Sequence, residues 1–423
     1  MVTKQKRVYL NFAMQFSLLF VCFVSAIAEV TVMQPPILDT EWERSHAYDY
    51  LNRLRQKAGM SKLLYNRTLE RAAQNHADYL IANRKIGHYE DAKLPHFSGY
   101  KPSDRVIAAG YRTRLVVENV SSNSLDYRDS IDGLFSAIYH RFGFLDFQID
   151  EVGISLRQDE KDPAKTAYVY EMGIYEVEAL CGKKSYDGPG EYAFKVCKDL
   201  LHRIKAKAFK KALNACALVN HKMVLYPYEE QTNVPPAFYD ELPDPLPGYR
   251  VSGFPISVQF NPRFFRYVRL LSFRLFKEGG EEIKETKILD HLSDPNGLFK
   301  KYEYALFPLK RLEWGTRYRV EIRYRADGRT VTKRWYFRTR MFDEKMAVLQ
   351  HRKSRVKLHA DEPLILYFKP RSPDDILGDI RYSSRIELSF IDKNTIRILL
   401  KNPDKKVYRL HCTGREVDLE VAD

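Results

Sequence analysis

The stretch NRTLERAAQNHADYLIANRKIGHYE (66–90) decides how the first third of this chain folds. Leu69, Ala73, His76 and Leu80 recur at helical spacing, so the segment reads as an amphipathic helix. His76 lies on its apolar face and is explained by that spacing as a packed, hydrogen-bonded core histidine. Gly87 reads as the helix stop. His88 follows at once, two residues before Glu90. It is either part of a cap or a side chain aimed into a pocket.

The flanking sequence repeats the pattern. EWERSHAYDYLNRLRQKAG (41–59) places Ala47, Leu51, Leu54 and Ala58 on one helical face. KPSDRVIAAGY (101–111) is a short helix entered through Pro102, and SIDGLFSAIYHRF (130–142) is another. DEVGISLRQ (150–158) and TAYVYEMGIYEV (166–177) are strands, rich in β-branched and aromatic residues. Glu118 sits inside the apolar run LVVENVSSN (115–123), where a carboxylate is costly unless it is paired. His140 closes the apolar run LFSAIYH (134–140). Two imidazoles and one carboxylate can hold a divalent metal or act as acid and base. Their separations of 30 and 22 residues follow no local rule.

Taken together, LLYNRTLERAAQNHADYL, GHYE, PHFSGYKPSDRVIAAGY, VVENVSS and YHRFGFLDFQIDEVGIS resemble the bacterial branch of the CAP superfamily, the cysteine-rich secretory, antigen 5 and pathogenesis-related proteins. The resemblance covers residues 40–180. It implies an α-β-α sandwich with a surface cavity lined by two histidines and acids, where some members hold a divalent metal. Carried over by motif, the cavity residues are His88, Glu118 and His140. The family's Gly-Glu-Asn is Val117-Glu118-Asn119 here, and no counterpart of a second cavity glutamate is visible. Asp132 is a candidate stand-in that matches no motif.

The chain of 423 residues is long enough for several domains. Residues 1–28 read as an export leader: Lys4, Lys6 and Arg7, an apolar run, then Ala26 and Ala28 at a small-x-small cleavage site. Residues 38–180 form the CAP-like domain. Residues 181–226 read as a helical connector, with one amphipathic helix over 190–219. The proline-rich segment 227–252 reads as an extended linker. Residues 253–340 read as an immunoglobulin-like β-domain and 345–423 as a second β-domain. The fold class is α+β: a CAP-like sandwich, a connector and two all-β domains. Of the cysteines outside the leader, Cys197 and Cys216 lie too far apart along one helix to bond. Cys181 with Cys197 is the expected pair.

The net charge of +14 is concentrated. Residues 262–340 carry 20 basic and 10 acidic residues. Within them, RYRVEIRYRADGRTVTKRWYFRTR (317–340) reads as a hairpin turning at Asp327-Gly328. Tyr318, Val320, Ile322 and Tyr324 face inward, as do Val331, Trp335 and Phe337. Arg317, Arg319, Arg323, Arg325, Arg334, Arg338 and Arg340 face out, offset by Glu321 alone. Guanidinium forks suit phosphates and carboxylates. Outside the cytoplasm the fitting partners are anionic envelope glycans, glycolipids or acidic proteins, and no nucleic acid is expected.

The expected protein is secreted or periplasmic, with no transmembrane segment once the leader is removed. It binds a small or lipid-like ligand, or a divalent metal such as zinc or magnesium, at His88, Glu118 and His140. Its β-domains attach it to an anionic surface. A metal-assisted hydrolase using the same three residues is the alternative, and a structural adhesion or spacer protein is the third reading. No nucleophile signature is present, so binding leads over catalysis.

Overall fold

The computed structural model describes residues 37–412 and 414–422. The leader expected over 1–28 lies outside the described residues. Asp39 starts α1 (Thr40–Ala58) by accepting from the Glu41 and Trp42 amides, and left-handed Gly59 ends it. After β1 (Leu64–Tyr65), Asn66 caps α2 (Arg67–Asn83) in the same way. Arg84, not Gly87, is the left-handed residue that stops α2. Gly87 lies in the loop beyond, at φ 93°. Then come α3 (Pro102–Ala108), β2 (Val117–Ser122), α4 (Tyr127–Ser136), α5 (Ile138–Phe144), β3 (Glu151–Gln158) and β4 (Thr166–Gly173).

The strands form a sheet in the order β1-β3-β4-β2, antiparallel except for β1 with β3. Strand alternation assigns the two faces. Tyr168, Tyr170 and Met172 pack with Leu51 and Leu54 of α1 and Ile131 and Phe135 of α4. Ala167 and Val169 pack on Ala73, Ala77 and Leu80 of α2. The first turn of α2 sits directly on β3, because a Cβ at Gly153 would lie 1.9 Å from the Glu70 nitrogen. Helix, sheet and helix thus make the expected sandwich, and the chain as a whole is α+β.

The run read as one helix, SIDGLFSAIYHRF, is broken at Ala137, whose ψ of 117° is extended. A new helix, α5, begins at Ile138 and places His140 in its first turn.

The single helix expected over 190–219 does not form. Beyond α6 (Tyr175–Cys181), the chain makes a small hairpin of β5 (Tyr192–Ala193) and β6 (Ile204–Lys205), and only Ala206–Ala215 is the helix α7. Leu201, placed on the expected apolar stripe, is 81% exposed. Cys197 is held to Thr113 by a β-bridge and bonded to Cys181. The expected disulfide is present, although the helix used to argue for it is not. Cys216 and Cys412 are free and buried.

The proline-rich segment is not a free linker. It supplies β8 (Gln231–Val234), β9 (Ala237–Tyr239) and the start of β10 (Val251–Gly253). With β7 (Met223–Tyr226), β11 (Ile256–Phe260), β12 (Val268–Lys277), β13 (Thr286–Leu289), β14 (Glu303–Pro308), β15 (Arg317–Ala326) and β16 (Arg329–Thr339) it builds a sandwich. One sheet runs β13-β14-β11-β7 and the other β12-β15-β16-β8. Its core is continuous with that of the first domain, and Phe135 stacks on Tyr226 at 4.8 Å between ring centres. Buried Arg141 spans the joint. It donates to the Phe135 and Pro255 carbonyls and lies over the Tyr226 and Phe254 rings. Residues 345–421 form two further four-stranded sheets around their own core of Leu366, Phe368, Ile396 and Leu410.

Candidate functional site

Glu118 is on the α2-facing side of β2, with its side chain 1% exposed. His88 donates to it from Nδ1 at 2.7 Å, and Arg105 of α3 donates from Nη2 to its other oxygen. Arg105 also donates to the His88 carbonyl at 2.9 Å, so one guanidinium fixes both the acid and the loop that carries the imidazole. The far end of that loop is tied to α2. His76 Nδ1 meets Glu90 at 2.8 Å and Nε2 meets the Gly87 carbonyl at 2.9 Å. Glu90 also accepts from the Ser98 amide and hydroxyl and the Gly99 amide.

Glu171 lies directly across the strand pair from Glu118, fully buried, with its carboxyl hydrogen-bonded to that of Glu118. Arg105 Nε is 3.9 Å away. Burial and the neighbouring Glu118 charge push the Glu171 carboxyl well above the usual glutamate range. Burial would raise Glu118 too, but the His88 hydrogen bond and the Arg105 and His76 charges overcome it and hold that carboxyl well down. Arg105 thus stands among three buried carboxyls, Glu118, Glu90 and Glu171, and Glu171 is the one whose proton is retained.

His140 completes the site from the other side. Its ring stacks near His88, with centres 6.1 Å apart and planes within 24°. Its Nδ1 donates to Glu241 at 3.0 Å. Glu241 comes from the proline-rich segment, outside the first domain. Its other oxygen accepts from the Ile138 amide at 2.7 Å, which satisfies the first free donor of α5 where the helix restarts. The site thus holds two carboxylate–imidazole pairs, His88 with Glu118 and His140 with Glu241. In both, Nδ1 is spent and Nε2 makes no hydrogen bond among the described residues.

The model of the CAP family, described as the cysteine-rich secretory protein family, matches residues 48–172. Residues 48–172 are a CAP domain. No curated protein matches the chain. Among solved structures, an outer surface protein of Borrelia burgdorferi is 20% identical over 32% of this chain and 95% of that one, with a TM-score of 0.29. An extracellular protein containing an SCP domain from Bacillus anthracis is 15% identical over 32% of this chain and 44% of that one, at 0.28. A cysteine-rich secretory protein from Staphylococcus aureus is 16% identical over 32% and 40%, at 0.25. This chain spans less than half the length of the last two.

The CAP domain brings His88, Glu118 and His140 into one neighbourhood, but not as three open ligands. Both Glu118 oxygens are taken, by Arg105 and His88. Among the described residues no group of three or more His, Cys, Asp and Glu side chains is arranged to hold a metal. What remains for a metal is the two Nε2 edges, with a carboxylate behind each. Asp132 is no stand-in, since it accepts from Tyr50 at 2.7 Å. Glu151 accepts from Asn66 and Tyr111.

Four network members escaped the sequence reading as site residues: Arg105, Glu90, Glu171 and Glu241. Glu171 carried the same signal as Glu118, an acid within an apolar strand. Glu90 stands two residues from His88. Glu241 carried no local signal.

The arginine hairpin forms as β15 and β16, with Tyr318, Val320, Ile322, Trp335 and Phe337 buried. Val331, expected to face inward, is exposed, although its cross-strand partner Tyr324 is buried. Glu321 is not the lone counter-charge. Arg317 pairs with Glu230 at 2.5 Å and approaches Glu278, which Arg338 also approaches at 3.9 Å. Arg334 pairs with Glu321 at 2.5 Å, and Arg319 approaches it at 3.9 Å. Arg323, Arg325 and Arg340 make no ion pair among the described residues.

Proposed function

We propose that this is an exported protein whose CAP domain holds a small or lipid-like ligand against the Nε2 edges of His88 and His140, while its β-domains attach it to an anionic surface. The observation that carries the ligand reading is the pair of carboxylate-backed imidazoles. Both are partly open, at 35% and 16% side-chain exposure, above a closed interior. Such rings present an acceptor of fixed direction, which suits a ligand bearing hydroxyl or amide donors. Ile86, Tyr89, Phe97 and Tyr100 flank His88 along the same loop and are all exposed, which favours a ligand with an apolar body. Export is supported by the leader-like N-terminus and by the Cys181–Cys197 disulfide, a bond that persists in oxidising compartments. Among the described residues no helix is long and apolar enough to cross a membrane.

A second reading has one observation in its favour. Metal-ligating imidazoles usually donate their other nitrogen to a carboxylate, as both rings do here. A divalent metal such as zinc would be held by His88 and His140, with Glu118 and Glu241 behind them as orienting groups. It would supply Lewis acidity to a bound ligand, and the hydrolase reading depends on it.

The test is a thermal-shift comparison of the parent with the H88A/H140A double variant, using free zinc and a long-chain alcohol as separate probes. The ligand reading expects the alcohol to stabilise the parent only. The metal reading expects zinc to do so. Equal responses of parent and variant to both probes would reject the site.

A further inference from the structure

We propose that the open edge between β12 and β13 is a lipid-docking surface, taking the anionic headgroups and outer acyl chains of a bilayer. This rests on the attachment role given to the β-domains and is independent of the CAP site. The arginine-rich sheet is uneven. At one end Arg274, Arg317, Arg334 and Arg338 each lie within 4 Å of a glutamate. At the end near the β15–β16 turn, Arg269, Arg323 and Arg325 make no ion pair among the described residues. Arg269 and Arg325 are direct cross-strand partners and both point to solvent. Like charges directly opposite one another destabilise a sheet, so the pair costs stability that an anion would return.

The neighbouring surface is apolar. A cleft of about 510 Å³ opens between β12 and β13, each an edge strand of its own sheet. A β-bulge between Leu270 and Ser272 interrupts the β12 ladder, and Leu271 there is 43% exposed. Ile288 and Leu292 across the cleft are 40% and 83% exposed. Arg269 and Lys301 line the same cleft, so basic and apolar groups share one rim. Asp290 lines it as well, but its Oδ1 is occupied by the Leu292 and Ser293 amides and the Ser293 hydroxyl. A soluble polyanion would engage the guanidiniums and leave the leucines in water. An anionic bilayer surface uses both, with arginines at the headgroups and apolar side chains at the acyl boundary.

The experiment is co-sedimentation of the chain beginning at Glu29 with phosphatidylglycerol or phosphatidylcholine vesicles at fixed salt. The parent should sediment with the first and not the second. R269E/R325E should weaken partition about tenfold or more, and L271N/L292N should weaken it with the arginines intact. R269K/R325K should retain it, and matched melting temperatures show that each variant folds. H88A/H140A should bind vesicles like the parent, which separates this surface from the CAP site. No binding to phosphatidylglycerol, or full binding by L271N/L292N, would overturn the proposal.

Discussion

The CAP site and the β15–β16 sheet are both built from arginine and glutamate, yet they treat charge in opposite ways. Around Glu118 the ions are inside: Arg105, His76, Glu90, Glu118 and Glu171 have side chains at most 1% exposed. On the hairpin they are outside, with Arg334 58% exposed. A buried charge is tolerated only beside an opposite one, so Arg105 lies within 4 Å of Glu118, Glu90 and Glu171, and the surplus carboxyl of Glu171 is raised. Solvent removes that demand from the sheet, where Arg269, Arg323 and Arg325 make no ion pair among the described residues. Inside, a charge reports on stability. Outside, water can meet an unmatched charge.

The largest expected effect lies inside. Arg105→Met strands Glu118 and Glu90 without their guanidinium, and should cost about 3–5 kcal/mol in denaturant unfolding. A loss under about 1 kcal/mol would mean that the network is open to water and the contrast fails.

Glu118→Gln should come next, on the order of 3 kcal/mol at neutral pH. The Glu118 carboxyl is lowered in the fold, so its contribution is complete above the ordinary glutamate value near 4.5 and fades as pH falls toward about 2. The penalty of the variant should shrink across that window, and a penalty that does not change with pH would contradict the ion-pair assignment.

Glu171→Gln should act in the other direction. A carboxyl raised in the fold holds a proton that the unfolded chain has lost, so stability falls as pH climbs above about 4.5 toward the folded value. The variant should therefore match or exceed the parent, with a lead that widens on going from pH 4.5 to neutrality. Destabilisation at neutral pH would mean that Glu171 is ionised and paired.

The smallest effect belongs to the sheet. Arg334→Ala removes an exposed partner of Glu321 and should change stability by less than about 1 kcal/mol. A loss as large as that of Arg105→Met would erase the distinction between the two regions.

The parts of the fold that follow a local period were legible. Ala47, Leu51, Leu54, Leu69, Ala73 and Leu80 all sit on the buried helix faces that their spacing predicts. Tyr318, Val320 and Ile322 alternate inward as a strand requires. The region 190–205 was misread because Cys197 and Leu201 mimic a helical stripe, while a disulfide and a small hairpin hold the chain extended. The segment 227–252 hid strands of three or four residues between prolines, too short for any period to show. At the site, motif resemblance supplied His88, Glu118 and His140. It could not supply Glu241, because that carboxylate reaches His140 from 101 residues further along the chain through packing of two domains. Arg105 shows no local sign that its neighbour is Glu118, whereas Glu171 carries the same sign as Glu118, an acid within an apolar strand.

The proposed ligand site is two imidazoles that donate through Nδ1 to Glu118 and Glu241 and offer Nε2 to a ligand. Nitrogen-15 NMR of histidine-labelled protein at pH 8.5, with peaks assigned by the single variants H88A and H140A, reads this directly. Both rings should be Nδ1-protonated with Nε2 bare, and Glu241→Gln should shift the His140 signals while leaving those of His88 in place. Nε2-protonated or tautomer-averaged rings in the parent would contradict it.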